Sequence, residues 1–121
     1  MEESVSRLAP LAGAAEIKDQ HYRPVSADSG DDGWWVKGNG GGRAIAPDGR
    51  EVEFQFLLAG EGTFDLPRYL GLMQAQGFTQ PIAFEASVHC QARPGYDAMA
   101  AAKGIYAWMA EGWERAGIPT D

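Results

Sequence analysis

Two carboxylates sit in short runs whose alternation gives them company suited to chemistry. In Ala14-Ala15-Glu16-Ile17-Lys18-Asp19, read as a strand, Ala15 and Ile17 share one face while Ala14, Glu16 and Lys18 share the other. In the run Pro81-Ile82-Ala83-Phe84-Glu85-Ala86-Ser87-Val88, Ile82, Phe84 and Ala86 fall on one face and Ala83, Glu85 and Ser87 on the other. Small neighbours leave Glu85 room for a ligand; the plainer alternative is an exposed or salt-bridged carboxylate at a strand end. Glu16 is placed either for such a role or for an ion pair with Lys18, two residues on. Lys18 in turn balances a carboxylate, binds a ligand oxygen, or is simply solvated. Carboxylates gathered this way suit proton transfer or the binding of a hard cation.

His21 lies just past the first run, where imidazole could ligate a metal or bind a substrate, or merely occupy a loop. His89 and Cys90 lack zinc-site spacing, because adjacent residues rarely both reach one ion. No partner arrangement activates the thiol as a nucleophile either. Arg93 reads as a clamp for phosphate or carboxylate, or as a tie holding a chain segment. Gly60-Glu61-Gly62 lacks the further glycine and the lysine of a phosphate-binding loop, so it reads as a tight turn into a helix.

These residues need elements to position them. Val5, Leu8 and Leu11 recur at a spacing of three, consistent with helical turns from Glu2 to Leu11. Residues 20–43 read as a flexible, acidic and glycine-rich loop, interrupted by Trp34-Trp35-Val36, which serves as an anchor or as an aromatic wall beside a ligand. Residues 44–58 read as a β-hairpin insertion turning at Pro47-Asp48-Gly49. Asp65 then caps a helix carrying Leu66, Tyr69, Leu70 and Met73 on one stripe, with Gly77 ending it. A last helix starts near Asp97, with Met99, Ala102, Ile105, Tyr106, Met109 and Trp113 on its buried side, and ends at Ala116-Gly117. Strands alternating with helices imply parallel βα units.

Composition narrows the class. The chain has 121 residues, enough for one domain, and is 45% hydrophobic and 22% charged, far from a disordered profile. No apolar run approaches the ~18–20 residues of a membrane span. Met1-Glu2-Glu3-Ser4 is acidic, with no apolar core of a secretory leader. The single cysteine fits a reducing cytoplasm. A net charge of −7 opposes nucleic-acid binding.

The order and spacing of Gly60-Glu61-Gly62-Thr63-Phe64-Asp65-Leu66-Pro67, Gly77-Phe78 and Ile82-Ala83-Phe84-Glu85 resemble the C-terminal part of the xylose isomerase-like TIM barrels, most closely the sugar phosphate isomerases/epimerases. Arg93-Pro94-Gly95-Tyr96-Asp97, followed by Ala100-Ala101-Ala102, is similar to an RPGYDP-like segment before the last helix of one subgroup, with Ala98 in place of the second proline. The resemblance runs from about Leu11 to Ile118.

It implies an α/β fold that is the C-terminal part of a (β/α)8 barrel: about two βα units, with the long loop and hairpin inserted between them. It implies isomerisation or epimerisation of a small sugar, sugar phosphate or polyol, with a divalent metal, Mn²⁺ or Mg²⁺. The strand-final glutamate of that family is a metal ligand near the sugar, and Glu85 matches it. The family's earlier strand commonly reads His-x-His-x-Lys-Asp, with the second histidine ligating. Here Lys18-Asp19 is kept, both histidines are absent, and Glu16 stands in the ligating position, where carboxylate oxygen serves Mn²⁺ or Mg²⁺ equally. Lys18, His21 and Arg93 become substrate contacts. A whole barrel needs about 200–250 residues or more. The expectation is therefore a portion of a longer catalyst, inactive alone and inclined to self-associate through open strand edges. The alternative is a sugar-binding or accessory module without turnover, or an inactive truncated fragment.

Overall fold

A computed structural model describes residues 1–26 and 41–119. The Trp34-Trp35-Val36 reading, and the acidic stretch within 28–33, lie outside these residues. Within them the chain is mixed α/β, with four α-helices and two small sheets. No helix among the described residues is long and apolar enough to cross a membrane.

The elements follow the order α1 (Glu2–Leu8), a 3-10 turn (Ala9–Leu11), β1 (Ala15–Ile17), β2 (Asp19–Pro24), β3 (Gly41–Ile45), β4 (Glu51–Leu57), α2 (Leu66–Ala75), β5 (Ile82–Phe84), α3 (Val88–Gln91) and α4 (Ala98–Arg115). β1 and β5 pair in parallel, with Ala15 opposite Ile82, Glu16 opposite Ala83 and Ile17 opposite Phe84. Neither has another strand partner among the described residues. β2, β4 and β3 form an antiparallel sheet in that order.

Local chemistry explains the helix ends. The Asp65 carboxylate accepts the Arg68 N–H at 3.2 Å, and Asp97 accepts those of Met99 at 2.8 Å and Ala100 at 3.0 Å. Each satisfies donors that the first helical turn leaves unpaired. Beyond α2 and α4 the chain passes through Gly77 at φ +70° and Gly117 at φ +68°, conformations that glycine adopts without a side-chain clash.

The core lies on the helix-covered face of β1 and β5. Ile17, Leu66 and Leu70 are buried together, with Phe64, Phe84 and Trp108 packed against them. Each such leucine contributes about 1.5–3 kcal/mol of apolar burial. Val5, Ala9 and Met73 form a second cluster that fastens α1 to α2.

Three readings of the sequence need correction. The loop expected from residue 20 is a strand as far as Pro24, and residues 41–43 belong to β3. β2 escaped notice because Asp19, His21 and Arg23 on one face and Gln20 beside Tyr22 on the other give no hydrophobic alternation; its pairing with β4 makes it a strand. The run 81–88 is strand only through Phe84, because Ser87 accepts the His89 N–H and caps α3. On α4, Met99 is 65% and Tyr106 77% exposed, and Ala102 is exposed too. The inward stripe instead carries Ile105, Trp108, Met109, Gly112 and Trp113. The reason is close approach: a Cβ on Gly112 would stand 2.3 Å from Leu66 Cδ2, so the helices meet at that glycine and this sets the rotation of α4.

The hairpin at Pro47-Asp48-Gly49 forms where its turn residues put it. Gly49, at φ +83°, donates its N–H to Ala46 O at 2.8 Å, and Asp48 accepts from Arg50 N–H at 3.1 Å.

Candidate functional site

The period of two in β1 places Glu16 away from the core, on the opposite side from Ile17. Parallel pairing sets Glu16 opposite Ala83, so Glu85, two residues beyond Ala83, lies on the same open face. The Glu85 N–H donates to Ile17 O at 2.9 Å, which carries the β5 backbone alongside β1 past the end of the strand.

The structure brings Glu16, Lys18 and Glu85 together. Lys18 Nζ stands 2.9 Å from Glu85 Oε2, with both side chains a little over one-third exposed. The Glu16 and Glu85 carboxyl groups lie close enough to shift one another in opposite directions. Two neighbouring carboxylates repel when both are ionised, which makes the second harder to ionise than the first. The hydrogen bond with Glu85, and then its charge, raise the Glu16 carboxyl above its ordinary range. The same hydrogen bond, then that from Lys18, lowers Glu85. Lys18 is raised, first by its hydrogen bond to Glu85. Its ammonium also lies over the Phe56 ring, 5.3 Å from the centroid. The arrangement is two carboxyl groups and an ammonium side by side, open to solvent on one face of a parallel strand pair.

The other candidate residues stand elsewhere. His21 shares its face of β2 with Asp19 and Arg23, opposite to that of Gln20 and Tyr22, and pairs across the sheet with Gln55. Lys18 contacts Phe56, the residue across from Gln20, so His21 and Lys18 occupy opposite faces. Arg93 follows α3; its Nη1 donates to Glu61 Oε2 at 2.8 Å and its Nη2 stands 3.9 Å from Cys90 Sγ. With Glu61, Tyr96 and Asp97, Arg93 lines an open cavity of about 420 Å³ against the first half of α4. Cys90 is fully buried, and that burial pushes its thiol up, the reverse of what a nucleophile needs.

One residue of structural consequence was missed from the sequence. Asp19 is 1% exposed, and its carboxylate accepts four backbone N–H groups: Gln20 at 2.9 Å and Phe64 at 3.2 Å on Oδ1, Gly60 at 2.9 Å and Gly62 at 2.8 Å on Oδ2. A Cβ on Gly62 would lie 2.2 Å from Asp19 Oδ1 and 2.7 Å from Gln20 O. The Gly60-Glu61-Gly62 turn is therefore wrapped around a buried carboxylate. This fixes the junction of β1 and β2, and with it Lys18. The signals available were Asp19, directly after Lys18, and the glycines at 60 and 62, read from the sequence only as a tight turn.

At this point the described residues offer a divalent ion little. Among the described residues no group of three or more His, Cys, Asp and Glu side chains is placed to hold a metal. Glu16 and Glu85 supply two carboxylates toward about six oxygens, and Lys18 competes for one of them. Comparisons with protein-family models, with curated proteins and with solved structures find no match to this chain.

Proposed function

We propose that this chain is the C-terminal part of a xylose isomerase-like (β/α)8 barrel of the sugar phosphate isomerase/epimerase kind, and that it serves isomerisation or epimerisation of a small sugar or polyol. The observation that carries the reading is the Glu16–Glu85 carboxyl pair beside Lys18, at the C-terminal ends of adjacent parallel strands. Barrels of this type build their sites at that end.

The chemistry follows from the protonation states. Moving a hydrogen between adjacent carbons of a sugar requires a base to accept one proton and an acid to supply one nearby. Glu85, held ionised, is the base, and Glu16, held protonated more readily, is the acid. Lys18 steadies negative charge developing on a sugar oxygen, and is the one proposed substrate contact within the cluster; His21 and Arg93 stand apart from it. By resemblance the full centre also holds Mn²⁺ or Mg²⁺, which would polarise the substrate oxygens. The donor set among the described residues falls short of such an ion, so its remaining ligands would come from outside them. The edges of β1 and β5 that pair with no other strand among the described residues are where further strands, or a second copy, would add.

The deciding assay uses aldoses and ketoses with added Mn²⁺. The chain alone is expected to give no turnover, and joined to further βα units it is expected to turn over. Glu85→Gln should then abolish activity with the fold intact. An active Glu85→Gln enzyme would refute the assignment. A sugar-binding module without turnover is the second reading, favoured by the incomplete ligand set; it predicts sugar binding with no turnover in either form.

A further inference from the structure

We infer that Tyr22, Phe54 and Phe56 form a platform for the apolar face of a sugar ring, extending the Glu16–Lys18–Glu85 cluster across the antiparallel sheet; this rests on the sugar reading proposed above. β4 reverses the alternation that core formation favours. Glu53 and Gln55 are each 2% exposed, while Phe54 and Phe56, on the other face, are only half-buried and Tyr22 is 46% exposed. Glu53 is held in its buried position by an ion pair with Arg23.

The three rings form a continuous band. Tyr22 and Phe54 are paired across the strands with centroids 6.1 Å apart, and Phe54 meets Phe56 edge-on at 5.5 Å. On the β3 side, Phe54 faces Gly42 and Val52 faces Ala44, residues too small to cover a ring. At the other end Lys18 reaches both Phe56 and Glu85, so the band runs directly into the charged cluster. A cyclic sugar has matching halves: C–H groups on one face, drawn to the negative face of an aromatic ring, and hydroxyls at the rim that reach an ammonium and carboxylates. A protein partner would use the rings alone and would have to desolvate the Lys18–Glu85 pair without compensation.

Saturation-transfer NMR on the whole chain tests this, irradiating aromatic protons in the presence of glucose, xylose, fructose or myo-inositol. Transfer is expected to the C–H protons of one ring face. Phe54→Leu and Tyr22→Leu, which keep apolar bulk, should each weaken binding about three- to ten-fold, the worth of one aromatic contact. Tyr106→Leu, altering an exposed ring on α4, should change nothing. The inference is overturned by absent transfer, by transfer unchanged in Phe54→Leu and Tyr22→Leu, or by sugar-independent, concentration-dependent broadening at Tyr22 and Phe54, which would mark a contact between copies. The isomerase reading stands or falls separately on Glu85→Gln turnover. Transfer that persists while that reading fails leaves a binding surface; lost transfer beside Glu85-dependent turnover leaves the catalyst without this platform.

Discussion

Replacing Asp19 with asparagine removes the centre of the turn beneath the site while keeping its size. Each carboxylate oxygen accepts two backbone N–H groups, and asparagine has only one acceptor oxygen. Whichever way the amide is turned, its NH₂ points at two donors. With the residue 1% exposed, water cannot repair the mismatch unless residues 60–64 open. Hydrogen bonds to a charged group are worth about 1.5–3 kcal/mol each, so losing two costs about 3–6 kcal/mol. Small domains have about 5–15 kcal/mol in total. The midpoint of thermal unfolding should therefore fall by on the order of 10–25 °C. Far-UV circular dichroism during heating and urea titration reads the loss, and amide NMR shifts at Gly60, Gly62 and Phe64 locate it. A fall of less than about 3 °C with those shifts unchanged would refute the reasoning.

Gly112→Ala should cost about 1–3 kcal/mol in urea unfolding, because its Cβ meets Leu66 at 2.3 Å. Gly104→Ala, on the same helix with nothing within 4 Å of its Cβ, should instead add about 0.5–1 kcal/mol; equal effects would show that α4 is rotated differently. The Glu16 carboxyl is raised above 4.5 in the folded chain, so its stabilising contribution is complete below 4.5 and is lost as pH rises through the folded value. Glu16→Gln should consequently melt progressively higher than the parent as pH rises from about 4 toward neutrality; a difference independent of pH would contradict the raised Glu16 carboxyl. Lys18→Met deletes one of the interactions holding Glu85 down, so ¹³C NMR of its side-chain carboxyl should titrate at higher pH, and an unmoved midpoint would contradict the ion pair.

Features set by neighbours along the chain are legible in the sequence. Asp65 and Asp97 cap because a short carboxylate reaches amides two or three residues on. The hairpin closes at Gly49 because only its own turn must accept positive φ. Glu16 and Lys18 share a face because strand side chains alternate, and Ile17 is buried for the same reason.

Which strands become neighbours is a different kind of fact. Alternation says which way Glu16 and Glu85 point within their own strands, but their mutual influence depends on β1 lying beside β5 in one register. Asp19 finds three of its four amides 41 to 45 residues further on, and Gly112 matters only because Leu66 is pressed against it. β2, with polar residues on one face and none of a strand's usual punctuation, takes its conformation from the β4 backbone rather than from its own side chains. Even the buried face of α4 was decided by the place where two helices could come closest. Periodicity and capping act through atoms a few bonds apart, so the chain carries them openly. Register, close approach and long-range hydrogen bonds are settled only when the whole surface is packed at once.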